Sequence, residues 1–249
     1  MKLVDGVNID LQNYVIEEIF PLYNMNGDSH GIGHIIKVIE RTFEIVKELE
    51  ESDNEEPKFD YNMLYVIAAY HDIGDHIDRK KHNIISGKIM FEDKKLDTFF
   101  NLEEKKIMKE AIEEHRASNK QIPRSMYGRI ILTADRNNCL NDFFKRRVQY
   151  CLEHHPEYCL EEVQDEIWHS SKKKFGKGGY AQDKLGYVPS RKLKKYFKML
   201  EELLNNKESF YANIEKFFNE ISLKCETEEL NLGMLDEIKI NEDNLQELK

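Results

Sequence analysis

Apolar residues recur at helical spacing along most of this chain, and the strict alternation that marks strands is scarce. The first such stretch covers residues 10–20, with Leu11, Val15, Ile16 and Ile19 on one side. Asp10 is its expected N-cap, and Pro21 favours its end. After the loop Asn24-Met25-Asn26-Gly27-Asp28, a long helix is expected from about Ser29 to Glu50. It carries Ile32, Ile35, Ile36, Ile39, Phe43, Val46 and Leu49 at the spacing of one buried face. The polar run Glu50 to Glu56, closed by Pro57, reads as an exposed connection.

Asp60 then caps a third helix whose second half, Tyr65-Val66-Ile67-Ala68-Ala69-Tyr70, is almost wholly apolar. It ends in His71-Asp72, and Gly74 is expected to break it. A charged, histidine-rich loop from Asp75 to Lys81 leads to a short helix, His82 to Phe91. Glu103 to His115 is the next, with Ile107, Met108, Ala111 and Ile112 inward. Beyond Pro123, Gly128 to Cys139 delivers Asp135 at the end of a second apolar run. Two further helices are expected near Phe143–Leu152 and Pro156–His169, then a Gly-rich stretch, Lys172 to Tyr180. Helices over about 190–204 and 208–223 complete the pattern. The expected fold is all-α: one compact helical bundle over residues 1–224 with extra C-terminal helices, followed by a tail over 225–249. That tail holds eight Asp or Glu against two Lys.

Composition narrows the function classes. The 249 residues carry a net charge of -10, which disfavours a protein that wraps a nucleic-acid backbone by bulk electrostatics. A local basic patch for a phosphate remains compatible with it. Cys139, Cys151, Cys159 and Cys225 show neither C-x-x-C spacing nor the density of a disulfide framework, so they read as reduced thiols. With no apolar run long enough to span a bilayer, the expected setting is cytoplasmic, without a membrane partner.

The candidate chemistry starts at His71-Asp72. An imidazole and a carboxylate at the end of a buried helix are costly without a partner, and a divalent metal satisfies both at once. A hydrogen-bonded core histidine is the plainer alternative. His30 and His34 lie one turn apart and can face one point. Asp75, one turn beyond His71 if the helix persists, is a candidate proton acceptor or orienting group. Lys80, Lys81, Arg116, Arg124 and Arg136 are close in sequence to these residues and suit phosphate. Lys172, with Lys173 and Lys174 beside Gly176, Gly178 and Gly179, reads either as a loop closing over phosphates or as a solvated loop.

Taken in order, His34, His71-Asp72 and Asp135 make a pattern that resembles the HD superfamily of metal-dependent phosphohydrolases, whose signature is H…HD…D on a helical core. The likeness covers roughly residues 28–136. Asp28-Ser29-His30-Gly31-Ile32-Gly33-His34 resembles the family's first-ligand helix, and His71-Asp72-Ile73-Gly74 its central motif. The resemblance implies His34, His71, Asp72 and Asp135 as metal ligands. His82 and His115 resemble the two extra histidines of its two-metal branches, although in single-metal members those positions line the substrate pocket. The Gly-Tyr-Pro element of the cyclic-dinucleotide branch is missing after His115, where Arg116-Ala117-Ser118-Asn119-Lys120 stands instead.

The implied activity is hydrolysis of a small phosphorylated compound, a nucleotide above all, by one or two divalent ions. A His/Asp set without thiolate favours Mn, Fe, Co, Ni or Mg. His30 and Asp75 would manage protons, with Lys81, Arg116, Arg136 and Lys172 on the phosphate. Rival implications are a nucleotide-sensing protein of the same fold and a di-iron oxygenase. His76, His154, His155 and His169 are expected at the surface or behind the ligands. A homodimer is compatible with the sequence.

Overall fold

The computed structural model describes residues 3–26, 30–52, 59–116, 119, 121–136, 138–179, 188 and 190–223. All regular structure among them is helical, with no strand. The order is α1 (Ile9–Tyr14), a π turn (Val15–Ile19), a 3-10 helix (Phe20–Met25), α2 (Ile32–Ser52), α3 (Tyr61–Tyr70) and α4 (His82–Glu92). A second 3-10 turn (Lys95–Thr98) precedes α5 (Leu102–Glu114), α6 (Met126–Ala134), α7 (Leu140–His154), α8 (Leu160–Phe175) and α9 (Arg191–Leu204). Residues 207–223 form α10. No helix among the described residues is long and apolar enough to cross a membrane. The acidic tail and the Tyr180 end of the Gly-rich stretch lie outside the described residues.

The chain groups into two compact units. The first comprises Met1–Asn138 with Tyr180–Lys198, and the second Cys139–Gly179 with Met199–Lys249. The first is organised around α3. Every residue from Met63 to Tyr70 is buried, and α2, α4, α5 and α6 pack around it. Burying a side chain such as Leu64, Val66 or Ile67 contributes about 1.5–3 kcal/mol. The helix starts where Asp60 accepts from the amides of Asn62 and Met63 at 2.8 and 3.1 Å. In the second unit, Phe143, Phe144, Phe175, Phe210 and Trp168 form an aromatic core through edge-to-face contacts.

Three local expectations change. Asn8 caps α1 in place of Asp10, its Oδ1 accepting from the amides of Asp10 and Leu11. Pro21 does not end the first helical stretch. It falls in the opening turn of the 3-10 helix, where its missing N–H costs no bond. Gly74 does not break α3, because the helix already stops at Tyr70 with His71 as C-cap. A Cβ at Gly74 would lie 2.8 and 2.9 Å from the Ile85 side chain and 3.0 Å from the His82 carbonyl. The glycine is therefore required by the close approach of α4, which brings His82 up to the end of α3.

Candidate metal centre

Helix ends build the site. His71 is the C-cap of α3, His115 of α5 and Asp135 of α6. His34 lies in the first turn of α2, and His82 is the first residue of α4. Three helix C-termini thus deliver groups to one region. Their free carbonyl ends carry partial negative charge, so the surroundings favour a cation and disfavour the carboxylate of Asp135 standing alone.

Asp72 is the centre of the cluster. Its Oδ2 lies 2.9 Å from His30 Nδ1, 3.4 Å from His71 Nε2 and 3.5 Å from His34 Nε2. Its Oδ1 lies 3.2 Å from His82 Nε2 and 3.4 Å from His115 Nε2. Asp135 Oδ1 completes the first side at 3.2 Å from His34 Nε2 and 3.8 Å from His71 Nε2. Two groups result, His34/His71/Asp72/Asp135 and Asp72/His82/His115. Within each, the potential ligand atoms all lie within 4.8 Å of one another, close enough to hold an ion. Apart from the partly exposed Asp135, every member is buried.

The backbone sets the tautomers. His71 Nδ1 is 2.9 Å from Ala68 O, His82 Nδ1 2.9 Å from Arg79 O, and His115 Nδ1 2.6 Å from Ile112 O. A carbonyl only accepts, so each Nδ1 carries the proton, and each neutral ring turns a bare Nε2 toward the cluster. His71 Nε2 and His34 Nε2 are buried without a hydrogen-bond partner. Lone pairs facing carboxylate oxygens repel unless a proton or a cation lies between them. The residues present therefore fit a divalent ion in each group: imidazole Nε2 atoms, those of His71, His82 and His115 oriented through Nδ1, with carboxylate oxygens opposite.

Without an ion, protons take that role. Burial pushes the His34 and His71 imidazoles down, but Asp135 and Asp72 overcome it and hold both raised. Burial likewise works to raise Asp72 and Asp135, yet the facing histidines hold both carboxyls well below the usual range. His82 differs: burial dominates and lowers it, against the opposing pull of Asp72.

The remaining candidates scatter. Asp75 does not continue α3; it sits in the turn after it, its amide donating to Asp72 O at 3.0 Å. Its Oδ1 is buried without a hydrogen-bond partner, 3.9 Å from His82 Nδ1. His30 precedes α2 rather than lying on it. Arg116 donates through Nη1 to Lys80 O, which ties the loop before α4 to the segment after His115. Lys81 is exposed at the N-cap of α4. Arg136 is buried, and Arg124 binds Glu114 through Nε at 2.6 Å. Lys172 to Lys174 belong to the last turn of α8, in the second unit, and not to the glycine loop. Lys172 Nζ lies 4.6 Å from the Trp168 ring centroid. His154 and His169 are exposed on α7 and α8.

Two residues escaped the sequence reading. Arg41 donates through Nη1 to Arg136 O at 2.9 Å and so caps the end of α6 that bears Asp135. It lies seven residues after His34, on the same face of α2, a spacing that was legible. Asn26 ties His30 to the turn that bears Asp72, and nothing in its local sequence marks it. No protein-family model matches the chain, and neither does any curated protein or solved structure.

Proposed function

We propose that this chain is a metal-dependent phosphohydrolase of the HD type, acting on a small phosphorylated compound such as a nucleotide. The observation that carries the proposal is the division of Asp72. One of its oxygens faces His34 and His71, and the other faces His82 and His115. A carboxylate so placed would help hold two divalent ions, one with His34, His71 and Asp135 and the other with His82 and His115. Such ions supply Lewis-acid stabilisation of phosphoryl charge and an acidified water at neutral pH.

The chain's own residues account for the rest. His30 donates its Nδ1–H to Asp72 Oδ2, which leaves Nε2 of this partly exposed ring to take a proton from solvent and pass it to the leaving group. Asp75, with its unpartnered buried oxygen, suits a proton acceptor beside the second group. Arg116 and Lys81 flank His115 and His82 in sequence and offer positive charge for phosphate oxygens. Mn, Fe, Co, Ni and Mg all suit a nitrogen and oxygen donor set without thiolate.

The test is elemental analysis of the purified protein, followed by phosphomonoester and phosphodiester substrates assayed with Mn, Co, Ni and Mg. Metal-dependent phosphate release that is indifferent to dioxygen supports hydrolysis. Turnover that requires dioxygen would move the same donor set to a di-iron oxygenase, and tight nucleotide binding without turnover would make it a sensor.

A further inference from the structure

Asn26 is buried at the end of the 3-10 helix that precedes His30, and its side-chain amide is fully employed. Nδ2 is 3.1 Å from His30 O and 3.1 Å from Asp72 O. Oδ1 is 3.1 Å from the backbone N of His76 and 3.1 Å from His76 Nδ1. A primary amide has two donor hydrogens and an acceptor oxygen with two lone pairs, so this arrangement uses all four. The partners also fix which end is which. Two carbonyls can only accept, and a backbone N–H can only donate, so the nitrogen must face His30 and Asp72 and the oxygen must face His76.

We propose that Asn26 is a positioning residue: it sets the Asp72–His76 turn against His30, and it holds the His76 ring as the Nδ1–H tautomer. This rests on the metal-centre reading only for its consequence in catalysis, since the clamp itself consists of bonds within the chain. His30 reaches Asp72 Oδ2 through its ring, while Asn26 joins the same two residues through their carbonyls. The two links form a closed loop that fixes the orientation of the Asp72 carboxylate, on which both candidate ion groups depend. His76 thereby gains a fixed ring with a bare Nε2, unlike a freely rotating surface histidine. Replacing Asn26 by Asp conserves shape and keeps the acceptor for His76, but it sets a carboxylate oxygen against two carbonyl oxygens. Ala removes all four bonds.

The decisive measurement is a long-range 1H–15N correlation spectrum of histidine-labelled, chelator-treated protein, which reads tautomers without any metal. In the wild type, His76 is expected as Nδ1–H. In Asn26→Ala, His76 should move toward the Nε2–H form, while His82 and His115, anchored on Arg79 O and Ile112 O, should keep Nδ1–H. A wild-type His76 found as Nε2–H would overturn the proposal even if neither variant folds. So would an Asn26→Ala spectrum with His76 unchanged, or with all histidines shifted together. Co(II) titration of the same proteins then reads the consequence: roughly 10-fold weaker binding in both Asn26→Ala and Asn26→Asp, as for loss of a partner behind the ligands. Equal affinity in all three would refute the positioning role. A wild type that binds no Co(II) would remove the metal reading and leave the tautomer result to stand or fall separately.

Discussion

The Nε2 atoms of His82 and His115 face each other at 3.4 Å, and in their neutral forms neither has a proton to give the other. Each ring has committed its Nδ1 to a backbone carbonyl, and Asp72 Oδ1 completes the triangle. The expected outcome is a second ion there. In the His82→Ala/His115→Ala double variant, metal content should fall by about one equivalent while helicity is retained. Stoichiometry equal to that of the wild type, near one, would reduce the pair to pocket residues.

Asp72 serves both groups, so its loss should be more damaging than that of any single histidine. Asp72→Ala is expected to carry almost no metal and to lose all hydrolytic activity, whereas His115→Ala should retain the ion at His34, His71 and Asp135. Full activity in a metal-stripped Asp72→Ala protein would defeat the metal reading altogether.

The response to pH follows from the directions of the shifts. In the ion-free protein His34 and His71 are raised above 6.5, so their contribution to stability is complete below pH 6.5 and is lost as pH rises through their folded values. Asp72 and Asp135 are lowered below 3.8, so theirs is present above about pH 3.8 and is lost only in stronger acid. His82, lowered, opposes the first pair by costing stability as pH falls below 6.5. Chelated protein should therefore lose Tm as pH rises above 6.5 through the folded values of His34 and His71, a range in which His82 is neutral folded and unfolded alike and offsets nothing. Ion-loaded protein should not, because the ion displaces those protons, and its affinity should climb over the same range. Thermal melts with chelator and with Mn, across that range, check both curves.

Gly74→Ala should destabilise the protein by about 1–3 kcal/mol, the usual cost of forcing a methyl group into a packed site. The obstruction is the Ile85 side chain and the His82 carbonyl, so α4 must retreat. Metal held with His82 should be lost before metal held with His34 and His71. Chemical denaturation read beside metal analysis tests the order; an unperturbed Cm would show that α4 yields at no cost.

From the sequence alone came the all-helical class, the buried run of α3 ending in His71-Asp72, and Asp135 closing a second apolar run. Burial periodicity and end signals are one-dimensional, and a chain read residue by residue carries them in full. Convergence is not one-dimensional. That His34, His82 and His115 meet Asp72 from three further helices depends on how those helices cross and rotate, and resemblance rather than pattern suggested it. Gly74 is opaque in the sequence for a related reason. A glycine required by an approaching helix and a glycine that ends one look identical in a string. The division of the chain into two units, with Lys172 on α8 in the second, was equally hidden, because contacts between distant segments decide it. Asn26 was the least legible of all. Its four bonds reach residues 4, 46 and 50 positions away, and only the folded chain brings those donors and acceptors around one amide.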